Sequence, residues 1–182
     1  MKRAILVTAS AFVLFAVTAL TAPLAVAQSQ VEQLTDEQRA RIVTNCTSMK
    51  NTLNQLKASD ALLRVNRGQT YESLSNRLMG SFNARLSNNS LDAKGMLSVT
   101  KSYNVTLNTF RTAYTAYERQ LVATIRIDCT KYPDEFHAAT QDARTKRAAV
   151  HDQVTALHQQ IDSYRTVVND FYQDYKRISG SN

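Results

Sequence analysis

Few residues of this chain could carry chemistry, and their spacing matches no common catalytic pattern. The chain has 182 residues, with three histidines and two cysteines. It contains no HExxH helix, no GxSxG turn, and no GxGxxG or phosphate-binding loop. The acidic pairs Asp36-Glu37 and Asp134-Glu135 stand where helices are predicted to begin, and the helix dipole explains them without catalysis. We therefore predict a protein that is not an enzyme and that needs no cofactor.

The three histidines share one helical stripe. His137, His151 and His158 are separated by multiples of seven residues, and Arg144 and Arg165 complete the stripe. Seven residues span about 10.5 Å along a helix, so no two of these side chains can bind one metal ion from this face alone. We expect a stripe that flanks a packed helix face and no metal site. A pH-responsive edge is the alternative, because imidazole titrates near pH ~6.5.

The first 27 residues resemble a secretory signal peptide in composition. Lys2 and Arg3 give a basic start, residues 4–20 are largely apolar, and Ala25-Val26-Ala27 offers the small residues that a signal peptidase reads. We expect cleavage after Ala27 and a secreted or periplasmic protein without a membrane span. The alternative is an uncleaved anchor, because residues 4–27 could cross a hydrocarbon core of about 30 Å.

Cys46 and Cys129 are the only cysteines, and export would place them in an oxidising compartment. An even pair in that setting is usually bridged, and the chain has no CxxC or CxxCH motif that would favour redox work or haem attachment. We predict a disulfide. Closing a loop of this length would stabilise the fold by roughly 4.5 kcal/mol on the chain-entropy model.

Apolar residues recur at alternating steps of three and four, which is typical of long helices with coiled-coil-like packing. The C-terminal stripe consists of Val150, Val154, Leu157, Ile161, Tyr164, Val168, Phe171, Tyr175 and Ile178. With Pro133 at its first turn and Gly180 past its end, it predicts a helix over 133–179. The middle stripe consists of Tyr103, Leu107, Phe110, Tyr114, Tyr117, Leu121 and Ile125. It predicts a helix over 96–131, with Cys129 on the same face.

The first stripe begins after Thr35 and Gln38, which have the spacing of a capping box. Its inward positions are Ile42, Cys46, Met49, Leu53, Leu56, Asp60 and Leu63, followed by Tyr71, Leu74, Leu78, Phe82 and Leu86. If the chain turned back at Gly68, Cys129 would lie about 50 Å from Cys46, too far for a disulfide. We therefore expect one long helix over 35–87, with a kink at Gly68 left open.

Together these patterns predict an all-α protein, an elongated up-down-up three-helix bundle in a single domain over 28–182. The chain has only four glycines and two prolines, too few for the frequent turns of a sandwich or barrel. Oligomeric state stays open, because a heptad stripe can be satisfied within one chain or between two.

A polar layer is predicted in the middle third of the bundle. If Cys46 and Cys129 are level, then Asp60 lies level with Thr115 and His151, and one turn from Arg147. Two inward charges would each be costly alone, because a buried unpaired charge loses its hydration. We therefore expect Asp60, Glu118 and Arg147 to form the layer, with His151 as a further candidate. The layer would fix the register of the helices.

The alternative is that this layer, together with Arg64 and Arg67, forms a site for a charged ligand or partner segment. The net charge of +7 falls to about +5 once Lys2 and Arg3 leave with the leader. The candidate face for an anionic partner comprises Arg64, Arg67, Arg144, Lys146, Arg147 and Arg165. A solvated helical surface is the simpler interpretation of these charges.

Two functions are compatible with these features. The first is an exported, non-enzymatic bundle that acts through protein–protein or cell-surface contacts. The second is a binder of anionic polymers, whether cell-wall polymer, nucleic acid or lipid headgroups, through its basic face. Binding that falls steeply with salt would favour the second function.

Residues 60–69 (DALLRVNRGQ), Ile127-Asp128-Cys129 and Thr145-Lys146-Arg147 also carry a resemblance to known proteins. Over Cys46 to Phe171 the chain resembles uncharacterised exported helical proteins of candidate-phylum bacteria of the Saccharibacteria type. The resemblance implies a bacterial origin and a disulfide between cysteines at matching places. It implies no activity.

Overall fold

The computed structural model describes residues 33–180, and it confirms the all-α class predicted from the sequence. The described range contains no strand, and none of its helices is long and apolar enough to cross a membrane. The expected leader, residues 1–27, lies outside the described residues. The helical elements are α1 (Asp36–Ser73), a π-helical segment (Leu74–Gly80), α2 (Ser81–Asn88), α3 (Lys94–Arg126) and α4 (Pro133–Ser179).

The N-terminus of α1 is fixed by a capping box. The backbone N–H of Gln38 donates to Thr35 Oγ1 (3.2 Å), and the backbone N–H of Thr35 donates to Gln38 Oε1 (2.8 Å). Asp36 and Glu37 follow in the first turn, where negative charge is favourable. The reciprocal bonds satisfy N–H groups that have no partner within the helix, which explains why α1 begins here.

The chain remains helical from α1 through the π-helical segment into α2, without a turn at Gly68. The irregularity lies at Leu74–Gly80 instead. The buried side chains there are Tyr71, Ser75, Met79, Asn83 and Leu86, mostly four residues apart. In an α-helix each four-residue step drifts by about 40° around the axis, and the wider π turn absorbs this drift.

The π-helical segment changes which side chains face inward. Leu78, expected on the inward stripe, is 55% exposed, whereas Met79 beside it is buried. Leu74 and Phe82 pack only partly buried against the core. The predicted stripe was therefore wrong by one residue in this stretch, because a regular 3.6-residue repeat was assumed where the backbone has a wider turn.

α3 ends at Arg126 rather than at the predicted residue 131, because Asp128 organises a local turn. Asp128 Oδ1 accepts hydrogen bonds from the backbone N–H of Thr130 (3.1 Å) and from its hydroxyl (2.6 Å), and Asp128 O accepts from the backbone N–H of Tyr132 (2.8 Å). Such local bonds compete with the helical ladder. The Thr130 hydroxyl holds the pKa of Asp128 below its ordinary value. Cys129 therefore lies in the turn and not on α3.

α4 begins at Pro133 and ends with Gly180 in the left-handed conformation (φ 67°). Its predicted inward stripe ends earlier than expected. Of its last members, Phe171 is partly buried, whereas Tyr175 and Ile178 are exposed, Ile178 by 82%. A Cβ added at Gly95, near the start of α3, would lie 2.9 Å from Val167. Val167, Val168 and Phe171 are the last α4 residues that pack against the larger core cluster.

The directions of the helices follow from their side-chain contacts. Between α1 and α4, the residue numbers of the partners rise together: Arg39 with Asp134, Asp60 with Arg147, and Tyr71 with His158. Between α1 and α3 they run in opposite order: Asp60 with Tyr117, and Tyr71 with Tyr103. α1 is thus parallel to α4 and antiparallel to α3.

The disulfide between Cys46 and Cys129 joins α1 to the α3–α4 turn, with the Cα atoms 5.6 Å apart. It belongs to an apolar cluster with Leu34, Ile42 and Phe136. A larger cluster, which includes Met96, Tyr103 and Leu157, forms the core towards the opposite end. The stretch between these clusters contains the candidate site.

Candidate anion-binding cleft

α1 contributes no buried side chain between Asp60 and Tyr71. Asp60 is 8% exposed and Tyr71 is 2% exposed, but none of the residues 61–70 is buried. These two anchors are eleven residues apart, which is about 16 Å along a helix. A cleft of about 510 Å³ opens here among α1, α3 and α4. We call it the central cleft.

The inner surface of the central cleft is apolar. α3 provides Phe110 and Tyr114, which are buried in the fold, and α4 provides Val150 and Val154. Leu63 of α1 completes this surface and is itself exposed. The volume lies within the range of about 300–1,000 Å³ that is typical of small-molecule sites.

Four arginines line the same cleft. Arg64 and Arg67 come from α1, and Arg144 and Arg147 come from α4. Asp60 is the only acidic residue among the lining side chains, so the lining carries a net charge of +3 with its histidine neutral. Facing helices therefore bring cations of different chain segments to one concave surface.

The single acid is fully engaged within the protein. Arg147 donates from Nε to Asp60 Oδ2 (2.9 Å) and from Nη2 to Asp60 Oδ1 (3.1 Å), a bidentate pair. The hydroxyl of Tyr117 donates to Asp60 Oδ2 (2.7 Å). This arrangement satisfies both carboxylate oxygens and links α1, α3 and α4 through one buried group.

The hydrogen bonds keep Asp60 charged. Burial alone would raise the pKa of this carboxyl, but the bonds from Arg147 and Tyr117 outweigh it and hold the pKa below its ordinary value of 3.8. Hydrogen bonding to Asp60 raises the pKa of Arg147, and burial raises that of the Tyr117 hydroxyl. Asp60 is therefore paired with Arg147 and with none of the other arginines that line the cleft.

Arg64, Arg67 and Arg144 form no ion pair within the described part of the chain. The Arg64 guanidinium lies over the Tyr114 ring, 5.0 Å from its centroid, which orients it towards the cleft. Arg144 donates only to the side-chain oxygen of Gln141 (3.3 Å). Apart from this Arg144 Nη1 group, the guanidinium donors of the three arginines are available to an incoming anion.

The structure brings together only part of the predicted polar layer. Asp60 and Arg147 are paired, whereas Glu118 makes no hydrogen bond or ion pair with either of them in the described range. Glu118 follows Tyr117 on α3 and so points about 100° away around the helix. The side chain of His151 is 79% exposed at the rim of the cleft, with Nδ1 4.0 Å from Asp152 Oδ1.

Two residues of the predicted anionic-partner face lie outside the central cleft. Lys146 Nζ is 2.8 Å from Asp142 Oδ1, and Arg165 Nη2 is 3.2 Å from Asp162 Oδ1, both on α4 itself. Each of these cations has a carboxylate one turn away on its own helix, so it faces along the helix surface. The arginines that do line the cleft are Arg64, Arg67, Arg144 and Arg147.

Sequence reasoning missed the part that Tyr117 plays, because it was assigned to the apolar stripe of α3. The predicted register placed Thr115 beside Asp60, two residues from the observed partner. The error comes from counting a full helical rise back from Cys129, which lies in a turn and not on α3. The sequence did contain a signal for this contact. A tyrosine on a packed stripe has a hydroxyl that requires a partner, and the inward Asp60 could provide one.

Neither metal ligation nor similarity identifies this site further. Within residues 33–180, no three His, Cys, Asp or Glu side chains gather in a way that could hold a metal ion. No protein-family model matches the chain, and no curated protein or solved structure matches it.

Proposed function

We propose that this chain is an exported, non-enzymatic binding protein whose central cleft takes an anionic partner. The observation that carries the proposal is the convergence of Arg64, Arg67 and Arg144 on a cleft whose single carboxylate is already engaged by Arg147. A partner that brings negative charge would supply the carboxylate or phosphate that these guanidinium groups lack within the described residues. It would also use their planar donor sets, which suit carboxylate and phosphate.

The surroundings of the cleft arginines support this choice over a uniformly solvated surface. Arg85 and Arg119, outside the cleft, also form no ion pair within the described residues, so a missing carboxylate partner alone does not distinguish the cleft. The cleft arginines differ because they lie beside exposed apolar side chains such as Leu63. A solvated face needs no concave apolar surface, whereas a binding site does.

The test compares arginine variants against a set of anionic probes. Wild type, the double variant Arg64→Gln/Arg67→Gln and the control Arg85→Gln/Arg119→Gln are titrated with polyphosphate, phosphatidylglycerol vesicles and dodecanoate. The control removes the same charge from exposed positions outside the cleft. We expect at least one probe to bind about tenfold more weakly to the cleft variant only, and to weaken with salt. If no probe distinguishes the two variants, the proposal is wrong.

Protein–protein contact is a second candidate function, and a different surface favours it. The end of α4 leaves Tyr172, Tyr175 and Ile178 exposed. Contiguous exposed apolar groups are typical of contact surfaces. Ile178→Ser with Tyr175→Ser would weaken a protein contact made there, and this contact would be insensitive to salt. Capture of the same partner by wild type and by this variant, in equal amounts, would exclude the surface.

Export is part of the proposal and has its own support. The basic and apolar N-terminus, the Ala25-Val26-Ala27 site and the disulfide are compatible with an oxidising, extracytoplasmic location. We expect the mature chain to begin at Gln28. N-terminal sequencing of the protein from its native cell would test this, and an intact Met1 in a membrane fraction would support the uncleaved anchor instead.

An elongated up-down-up three-helix bundle with coiled-coil-like packing is the architecture that we propose for the mature domain. Parallel contacts between α1 and α4, and antiparallel contacts of α1 with α3, support it. Small-angle scattering of the mature protein would test the elongation. A maximum dimension below that of the α4 rod, about 70 Å for its 47 residues, would contradict it.

A further inference from the structure

We propose that the central cleft binds a single amphiphilic anion, an apolar chain that ends in a carboxylate or phosphate monoester. This inference rests on the proposed anionic partner and names its chemical class. Its basis is the combination of cations and apolar walls in one cavity, which neither a bare polyanion nor a neutral lipid would match. A second cleft, beside the π-helical segment, is lined by one arginine, Arg77, and mostly by polar side chains, so it does not combine these two properties.

The distribution of exposure within the cleft suggests how such a ligand is oriented. Arg64, Arg67 and Arg144 are exposed, whereas Phe110 and Tyr114 behind them are buried in the fold. The charged groups thus stand towards solvent and the aromatic groups towards the interior. A head group would be held by the guanidinium groups at the rim, while its chain enters between the helices and covers the apolar surface.

The cleft is a better match to a chain than to a hydrophilic polymer. Leu63, Val150 and Val154 line it, and a polymer of phosphate or sugar would leave these side chains in contact with water. An extended polyanion also needs cations along a continuous track. Beside the cleft on α4, Lys146 and Arg165 are already paired with carboxylates, so the track ends there.

The ion pair with Asp60 leaves fewer hydrogen-bond donors of Arg147 free to contact a ligand. Two donors of that guanidinium are committed to the carboxylate, and the Tyr117 hydroxyl holds the same carboxylate from α3. Arg147 is therefore a positioning residue that links α4 to α1. The head group is held mainly by Arg64, Arg67 and Arg144, which have no carboxylate partner within the described range.

A cleft-filling variant separates this inference from simple charge attraction. Ala148 and its neighbour Ala149 are both exposed, but only Ala148 lines the cleft. Ala148→Phe should therefore occupy the volume without disturbing the core, and Ala149→Phe is the matched control. We expect dodecanoate to bind wild type and Ala149→Phe at one molecule per chain, and Ala148→Phe at least tenfold more weakly.

The remaining measurements vary the chain length and the head group of the ligand. Affinity should rise about three- to fourfold for each methylene added from octanoate to dodecanoate, because each buried CH₂ contributes similarly to transfer from water. Dodecyl phosphate should bind comparably, and dodecanol at least tenfold more weakly. The variant Arg64→Gln/Arg67→Gln should weaken dodecanoate at least tenfold, while the dodecanol affinity stays within twofold.

The outcomes distinguish failure of the inference from failure of the proposed function. Equal binding of dodecanoate to wild type and Ala148→Phe would place the ligand elsewhere and overturn the inference. Equal affinity for dodecanol and dodecanoate would show that the anionic head group does not contribute to binding, and would overturn the inference. If polyphosphate bound through Arg64 and Arg67 while dodecanoate did not bind, the inference would fail and the anionic partner would stand. If no anion depended on these arginines, both would fail.

Discussion

At the scale of single residues, Asp60 organises the centre of the molecule. It is an aspartate on the inward face of a helix, a position that normally excludes charge, and it is stabilised by Arg147 from α4 and Tyr117 from α3. The sequence predicts the Asp60–Arg147 pair because a buried aspartate requires a partner of opposite charge. The expectation that Arg147 is also inward was wrong, because its side chain is 53% exposed and reaches Asp60 from the surface of α4. The sequence was insufficient for Tyr117, because two residues of register decide which α3 side chain lies opposite.

Replacement of Asp60 by asparagine tests this cluster through its pH dependence. Since the folded-state pKa of Asp60 lies below its ordinary value, its ionised form contributes stability above the unfolded pKa, and this contribution is lost as pH falls through the folded pKa. Asp60→Asn should lower the unfolding free energy at pH ~7 by about 1–3 kcal/mol. The difference from wild type should be smaller near pH ~2, because the ionised form of Asp60 is progressively lost as pH falls.

Urea denaturation of both proteins at the two pH values measures this effect. Asp152→Asn is the matched control, because Asp152 is an exposed acid on α4. A difference between wild type and Asp60→Asn that stays constant across this pH range would contradict the assigned ion pair.

At the scale of elements, the sequence predicts where helices begin and end, but it does not predict local irregularities within or after them. The capping box at Thr35, Pro133 at the first turn of α4 and Gly180 after its last turn all act within a few residues. The π-helical segment depends on which side chains fit against α3 and α4, and the periodicity of the sequence alone does not report that. The Asp128 turn was missed for a similar reason, since an apolar stripe continues through it.

Two glycine-to-alanine substitutions in the helices should have opposite effects. A Cβ at Gly68 meets nothing within 4 Å, so Gly68→Ala should stabilise the protein by about 0.5–1 kcal/mol through helix propensity. A Cβ at Gly95 would lie 2.9 Å from Val167 Cγ1, so Gly95→Ala should destabilise it by about 1 kcal/mol. Denaturant midpoints of the two variants provide the comparison. Destabilisation by Gly68→Ala would show that α1 does not remain a regular helix there.

At the scale of the whole molecule, the cysteine pair and the central cleft lie at different levels along the helices. The disulfide and its apolar cluster hold α1 to the α3–α4 turn. The cleft begins further along α1, at Asp60. The sequence predicts the order and direction of the helices, because a disulfide constrains which helix ends can meet. The cleft could not be predicted, because it depends on α1 burying nothing over residues 61–70.

Reduction of the disulfide should lower thermal stability without melting the helices at room temperature. Loss of the cross-link frees the unfolded chain and should cost about 2–5 kcal/mol, whereas the larger apolar cluster around Tyr103 and Leu157 remains. Far-UV circular dichroism with and without reductant would report both effects. Unchanged melting temperature after complete reduction, verified by thiol counting, would contradict the stabilising part assigned to Cys46 and Cys129.

The central claim is that an anion with an apolar chain occupies the central cleft. Methyl NMR spectra recorded during titration with dodecanoate test it most directly, because they locate the ligand. The account predicts saturable shifts at Leu63, Val150 and Val154, with Val105 and Ile178, exposed outside the cleft, unaffected. Shifts confined to Ile178 or Val105, or spread evenly over all exposed methyl groups, would contradict it.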